Sequence, residues 1–157
     1  MDNIRGNKIE RGEVKTGRAG ELIAAGVVET FGYRSVLCQQ AGFDMLVMRD
    51  DDRHYRCEVK TRSVATTDAN RNSDILRYSW TTANGCDTKT RLKPEGVDLL
   101  ILVALDIRRC YFIPVFEHKV VRKNIRKDLI LAIDEKAQLD GALARIDERK
   151  NYVASSN

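Results

Sequence analysis

The residues best suited to chemistry lie between Asp44 and Lys60, a segment that we predict to form two strands joined by an acidic turn. Asp44 stands near the start of the first strand, and Glu58 and Lys60 end the second. Side chains alternate faces along a strand, so Glu58 and Lys60 must lie on one face. Two carboxylates beside one ammonium group can hold a hard divalent cation and position a water molecule against a phosphate.

Spacing alone does not separate this chemistry from an ordinary surface hairpin, because isolated Glu-x-Lys triplets are common. The neighbouring residues favour a site. Apolar residues occupy the opposite parity in both strands, which predicts one buried face and one polar working face. These apolar residues are Phe43, Met45, Val47, Cys57 and Val59. The carbonyl of Val59, between Glu58 and Lys60, is a candidate extra metal ligand.

Glu21 is a third candidate carboxylate, on a helix that we predict over residues 16–32. The apolar residues of this segment recur at helical spacing, and Glu21 lies at the edge of the stripe formed by Ala24, Ala25 and Val28. Two interpretations stay open from the residues themselves. Glu21 either completes a metal site or stabilises the first turns of the helix, where acidic side chains are favoured.

The elements around these residues predict an α/β fold with a mixed central sheet flanked by helices. The segment 117–125 reads as a short helix or irregular chain, and 129–133 as a strand or a helical turn. We expect a single domain over residues 1–157, with a loose arm over about 1–15 and a frayed tail over about 151–157. The other predicted elements are strands at 35–38, 43–48, 54–61, 76–81, 97–105 and 110–114, loops at 63–73 and 82–96, and a helix over 134–150.

Composition narrows the class of protein. The chain has 157 residues, of which 43% are hydrophobic and 32% charged, as in soluble globular domains. The net charge of +4 permits an anionic partner. The four cysteines form no Cys-x-x-Cys pair, which argues against a zinc site. We expect no signal peptide, because residues 1–15 are mostly polar and charged. We expect no membrane contact, because the apolar run 99–105 is too short to span a bilayer, and therefore a cytoplasmic protein.

Together these motifs resemble the PD-(D/E)XK nuclease superfamily. Phe43-Asp44 is similar to the first half of its motif, with Phe in place of Pro, and Glu58-Val59-Lys60 followed by Thr61 is similar to the second half. The segment 17–24, Gly-Arg-Ala-Gly-Glu-Leu-Ile-Ala, resembles the first helix of its small Holliday-junction-resolvase-like members. The likeness extends loosely to the predicted hairpin over 97–114, whose ending at 111–114, Tyr-Phe-Ile-Pro, resembles group I intron homing-endonuclease-like members. The resemblance implies a restriction-endonuclease-like core.

The resemblance also implies a function: a metal-dependent endonuclease that hydrolyses DNA phosphodiesters and leaves a 5′-phosphate. Asp44, Glu58, Glu21 and the Val59 carbonyl would bind Mg²⁺, for which Mn²⁺ could substitute, and Lys60 would assist the attacking water. No organic cofactor is expected. Because one such domain engages one scissile phosphate, cutting two strands calls for a homodimer or a dimer of dimers. The alternatives are a non-catalytic nucleic-acid-binding module on the same fold and an RNA-directed nuclease.

Basic residues in the polar loops are the candidate DNA contacts. Alternating cations in a stretch without apolar period suit contacts to successive phosphates. The residues predicted to bind nucleic acid are Arg18, Arg62, Lys89, Arg91 and Lys93.

Six other polar or aromatic residues have two interpretations each. Tyr78 and Trp80 could stack on a base, but core packing is favoured because large aromatic residues are usually buried. Gln39 and Gln40 could touch DNA or only shape a turn. His54, like His118, is isolated and reads as a surface or packed imidazole.

Overall fold

The computed structural model describes residues 4–38, 42–68, 73–83 and 90–156, with side chains for 15–38, 42–67, 74–83 and 90–156. The predictions for Gln39, Gln40 and Lys89 concern positions outside these ranges. In chain order the described elements are α1 (Ile4–Thr30), β1 (Arg34–Leu37), β2 (Met45–Met48), β3 (His54–Arg62), β4 (Thr66–Asp68), β5 (Ser73–Thr81), β6 (Leu99–Ala104), β7 (Arg109–Pro114), β8 (Arg122–Arg126), α2 (Lys127–Ala132) and α3 (Glu135–Ser155), with a 3₁₀ turn at Val115–Glu117.

A mixed five-stranded sheet forms the centre of the described fold, in the order β1-β2-β3-β6-β7. β3 and β6 are parallel, and the other neighbouring pairs are antiparallel. The predicted hairpin is present, with Met45 opposite Cys57 and Met48 opposite His54. The predicted α/β fold with a mixed central sheet and flanking helices is therefore confirmed.

Both long helices pack on one face of this sheet. Ala24 and Val28 of α1 and Leu139 and Ile146 of α3 are buried in one cluster, together with Val59 of β3. Met45, Val47, Cys57 and Val59 of the hairpin are thus buried, as predicted, and face the helices, whereas Phe43 packs against the second core cluster. Burial of this apolar area is the main force that holds α1 against the strands carrying the candidate site.

A second, three-stranded sheet covers the opposite face, in the order β4-β5-β8. Its core is made by Tyr78 and Trp80 of β5, Ile125 of β8 and Ile130 of α2. The predictions had residues 63–73 as a loop and 117–125 as a helix or irregular chain, and both were wrong where β4 and β8 form. Polar strand residues at a sheet edge leave no alternating apolar signal, so pairing with β5 decides their structure.

Both ends of the described chain are more helical than predicted. α1 begins at Ile4, so most of the expected loose arm is helix, and α3 continues to Ser155 through most of the expected frayed tail. Neither extension contains proline. A helix that is already nucleated by packing can propagate through such a segment without an apolar stripe.

The longest apolar run lies inside the protein as β6. All six of its residues are buried, and they alternate between the two faces of the sheet. Among the described helices, none combines the length and the apolarity needed to cross a membrane.

Candidate functional site

Asp44 is fixed against β3 by both its backbone and its side chain. Its amide donates to the Cys57 carbonyl at 2.9 Å, so residue 44 extends the β2–β3 ladder by one position. Its Oδ2 accepts a hydrogen bond from the Val59 amide at 2.7 Å. A strand residue directs its amide and its carbonyl to the same side, so the Val59 carbonyl also points toward the edge where β2 begins.

Glu58 and Lys60 lie on one face of β3, as the alternation of side chains requires. Lys60 Nζ is 2.6 Å from Glu58 Oε1, and Glu58 is only 7% exposed. Register places Glu58 opposite Leu100 and Lys60 opposite Leu102, on the face that the small sheet covers. The pair is therefore largely enclosed, where a charge-assisted hydrogen bond is stronger than in water.

Glycine lets α1 approach close enough to bring Glu21 to this site. A Cβ at Gly20 would lie 1.8 Å from Thr61 Oγ1, a distance that two atoms cannot share, so the close approach requires the missing side chain. Glu21 follows directly and receives an ion pair from Arg18 at 2.8 Å. Glu21 is therefore held beside the strand of the candidate site by direct helix-to-strand packing.

These carboxylates line one open cleft of about 600 Å³ between α1 and the start of β2. Its walls carry Glu21, Asp44 and Glu58. The other lining residues are Gly17, Arg18, Cys38, Gly42 and Phe43. Cys38, Gly42 and Phe43 flank the connection to β2. The sequence analysis named Phe43 for its place beside Asp44, but it held no signal that places Cys38 or Gly42 at the site.

The cleft raises the proton affinity of Asp44. Burial raises the pKa of Asp44 to about 6, and the nearby charges of Glu58 and Glu21 push it the same way. The Val59 hydrogen bond and the Lys60 charge lower the pKa but do not offset burial. The carboxylate is therefore held with fewer stabilising donors than its charge demands.

The donor set suits a hard cation in type, because carboxylate and carbonyl oxygens are the ligands that Mg²⁺ prefers. Within the described part of the chain, however, no three His, Cys, Asp or Glu side chains are grouped as metal ligands. Glu58 and Glu21 contact Lys60 and Arg18 instead. A metal ion bound by these two carboxylates would compete with the internal cations for their oxygens.

The basic residues predicted to bind nucleic acid lie in different places. Arg62 is exposed at the end of β3, and Arg18 pairs with Glu21 beside the carboxylates. Arg91 and Lys93 are exposed and line a second cleft. That cleft also contains Lys119 and Arg149, which the sequence analysis missed. An exposed arginine late in an amphipathic helix gives no sign of what it faces in three dimensions.

The aromatic and histidine residues have structural roles. Tyr78 and Trp80 are buried and stacked, with ring centroids 5.4 Å apart, and Trp80 Nε1 donates to the Val103 carbonyl at 3.2 Å. Their predicted core packing is confirmed. His118 is buried 2.6 Å from Thr82 Oγ1, whereas His54 is exposed, so one imidazole is packed and the other lies at the surface.

Comparisons with known proteins give a likeness in structure and none in sequence. No family model matches the chain, and no curated protein matches it. A solved structure, that of the bacterial homing endonuclease I-Ssp6803I, is similar over 71% of this chain and 74% of that one, with 12% identity and a TM-score of 0.48. A likeness at this level does not transfer an activity to the chain.

Proposed function

We propose that the protein is a metal-dependent endonuclease that hydrolyses phosphodiester bonds in DNA. The observation that carries the proposal is the cleft itself. It contains a partly enclosed Asp44 with few donors, the Glu58–Lys60 pair, and Glu21 on the facing helix. A carboxylate kept short of partners costs stability, and such costs concentrate at functional sites.

Asp44, Glu58, Glu21 and the Val59 carbonyl would hold Mg²⁺, or Mn²⁺ in its place. The ion would supply positive charge to the reacting phosphate and lower the pKa of water. Lys60, now 2.6 Å from Glu58, carries an ammonium group that can donate to the attacking water or to a phosphate oxygen.

Charge exchange connects this chemistry to the present arrangement of the cleft. Lys60 and Arg18 neutralise Glu58 and Glu21. When a phosphate enters the cleft, both cations have a new anionic partner, and the carboxylate oxygens that they leave become free for a metal ion. Arg18 thereby contributes to DNA binding, with Arg62, Lys89, Arg91 and Lys93 as further phosphate contacts.

A homodimer, or a dimer of dimers, would place two such clefts on a duplex so that both strands are cut. Light scattering of the purified protein, alone and with a duplex, measures the number of protomers directly. A protein that stays monomeric on DNA and only nicks one strand contradicts this part of the proposal.

Cleavage assays test the proposal. Supercoiled plasmid, a four-way junction, a linear duplex and a single strand are each incubated with the protein and Mg²⁺, Mn²⁺ or a chelator. We expect cleavage that requires the metal and leaves 5′-phosphate ends. Asp44→Asn and Lys60→Met should lower the rate by about 10²- to 10⁴-fold, the range typical of removing one acid–base or electrostatic group. Asp51→Asn is the control, because Asp51 is an exposed turn residue.

Binding separates the alternatives. Asp44→Asn should retain most of the DNA affinity of the native chain while losing cleavage. Intact DNA in every native reaction, together with native binding, would instead identify a non-catalytic nucleic-acid-binding module. The engagement of Glu58 and Glu21 with internal cations is the observation that favours that second function. Faster cleavage of a matched RNA strand would identify an RNA-directed nuclease.

A further inference from the structure

A second cleft, of about 860 Å³, lies away from the carboxylates and shares none of their lining residues within the described chain. Four cationic side chains line it, against one carboxylate, Glu95. The cations are Arg91, Lys93, Lys119 and Arg149. They come from the segment before β6, the segment after the 3₁₀ turn, and the last turns of α3, so only the folded chain brings them together.

These cations are positioned by partners that do not neutralise them. Arg91 donates to the Lys119 carbonyl at 2.9 Å. The guanidinium of Arg149 lies 4.8 Å from the centre of the Phe116 ring. Within the described residues, none of the four is paired with a carboxylate, in contrast to Arg18, Arg56 and Lys136. Their charge is therefore available to an anionic ligand.

The floor of this basic cleft is apolar and firmly packed. Leu92 and Val115 are 7% and 2% exposed, and Phe116 is packed against the main core cluster. His118 is held by Thr82 at one edge. Cations around a rigid apolar floor suit a ligand with many phosphates and apolar sugar faces, because electrostatic attraction and burial then act together.

One contact connects the basic cleft to the strand of the carboxylates. Arg56 Nη1 donates to the Glu95 carbonyl at 2.7 Å. Arg56 shares a face of β3 with Glu58 and lies two residues before it, a separation of roughly 7 Å along a strand. The segment that carries Arg91 and Lys93 is thus tied to the strand of the candidate catalytic residues.

We propose that the basic cleft binds the phosphodiester backbone of the DNA substrate at nucleotides that flank the cleaved one. This inference rests on the proposed endonuclease function and adds Lys119 and Arg149 to its substrate contacts. The cleft contributes affinity and register, and no chemical step occurs there.

Salt-dependent binding tests the inference. A labelled DNA duplex is titrated by fluorescence anisotropy in chelator, so that no cleavage occurs, at several salt concentrations. The Lys93→Ala/Arg149→Ala variant is compared with Arg34→Ala/Lys136→Ala, which removes the same charge outside both clefts. The first variant should lose about two units from the steepness of log K against log salt, about 0.9 per lost phosphate contact. The control should keep the native slope.

A circular dichroism melt confirms that both variants fold, which is expected because all four replaced side chains are exposed. Equal slopes and affinities for the two variants overturn the inference. So does competition by inorganic phosphate or a mononucleotide at concentrations similar to those of duplex nucleotides, because the cleft would then be a small-anion site. If the native protein cleaves DNA but the cleft variant keeps the native salt slope, DNA binding by the basic cleft is refuted and the endonuclease function is not. If the cleft variant loses salt slope but the native protein cleaves no DNA, the endonuclease function is refuted and DNA binding by the basic cleft is not.

Discussion

Asp44 and Asp98 are two enclosed carboxylates beside β3 that are held in opposite ways. Asp98 Oδ2 accepts from the backbone amide of Arg56 at 2.8 Å and from its Nε at 3.1 Å, and Oδ1 is 3.0 Å from Lys150 Nζ. Burial raises the pKa of Asp98, but these hydrogen bonds outweigh it and hold the pKa below its usual range. Asp98 therefore has the partners that a buried charge needs.

Among the described residues, the Asp44 side chain accepts one hydrogen bond, from the Val59 amide, and burial dominates its pKa. Asp98 thus has enough hydrogen-bond donors to compensate for its burial, whereas Asp44 has too few among the described residues. Saturation indicates a structural role, because the charge already has its partners. Undersupply is typical of functional sites, which is why we propose Asp44 as a ligand of the metal ion.

The largest expected effect on stability is at the saturated carboxylate. Asp98→Ala removes the partner of Arg56 and Lys150 and leaves the part-buried Arg56 amide without its side-chain acceptor. We expect a loss of about 3 kcal/mol in the free energy of unfolding, because a hydrogen bond to a charged group contributes about 1.5–3 kcal/mol. Urea unfolding measures it, with Asp51→Ala as a control that should cost less than about 1 kcal/mol. A similarly small loss for Asp98→Ala would remove the distinction between the two carboxylates.

A smaller effect is expected where α1 meets β3. Gly20→Ala introduces a Cβ that would lie 1.8 Å from Thr61 Oγ1 and must push the helix away. We expect a loss of about 1–3 kcal/mol from overpacking, together with weaker cleavage because Glu21 moves.

Gly26→Ala in the same helix is the matched control. A Cβ there meets nothing within 4 Å, and alanine should stabilise the helix by up to about 1 kcal/mol. Equal effects of the two substitutions on thermal unfolding would contradict a close approach at Gly20.

The smallest effect is a pH dependence that belongs to Asp44. Its pKa is 3.8 as an ordinary carboxyl and about 6 in the folded chain. Between these values the folded chain binds more protons than the unfolded chain, so this carboxyl makes stability fall as pH rises through the window. Asp98 acts oppositely: its pKa is lowered, so its stabilisation is lost as pH falls below the ordinary value.

Urea unfolding of the native chain and of Asp44→Asn in chelator, across this pH range, isolates the Asp44 term. The variant should gain stability relative to the native chain as pH rises from 3.8 to about 6 and should keep that gain above it. Parallel curves would show that the site does not raise the pKa of Asp44.

The hairpin was predictable because its signals are local. Alternating apolar residues in β2 and β3 assign the faces, and the parity of Glu58 and Lys60 follows from strand geometry alone. The same holds for the helical stripe around Glu21. The small sheet was not predictable in this way, since β4 and β8 carry few apolar residues and exist through their pairing with β5.

The sequence predicted which residues lie at the site better than it predicted how their charged side chains pair. That Lys60 contacts Glu58, and Arg18 contacts Glu21, depends on side-chain choices among several nearby charges. The basic cleft joins segments far apart in sequence, and no local pattern relates Arg91 to Arg149. Charge availability is a property of the fold, because it depends on which cations the fold pairs with carboxylates.

The parallel pairing of β3 with β6 has a consequence for the order of folding. β2 and β3 are joined by a short turn, whereas β4 and β5 lie in the chain between β3 and β6. Closing the longer loop costs more chain entropy, so non-local pairing forms more slowly than a hairpin. Asp44 and Glu58 can therefore meet early, while the clamp between Arg56 and Asp98 closes only when β6 docks. Asp98 therefore stabilises the hairpin only after the hairpin has formed and β6 has paired with β3.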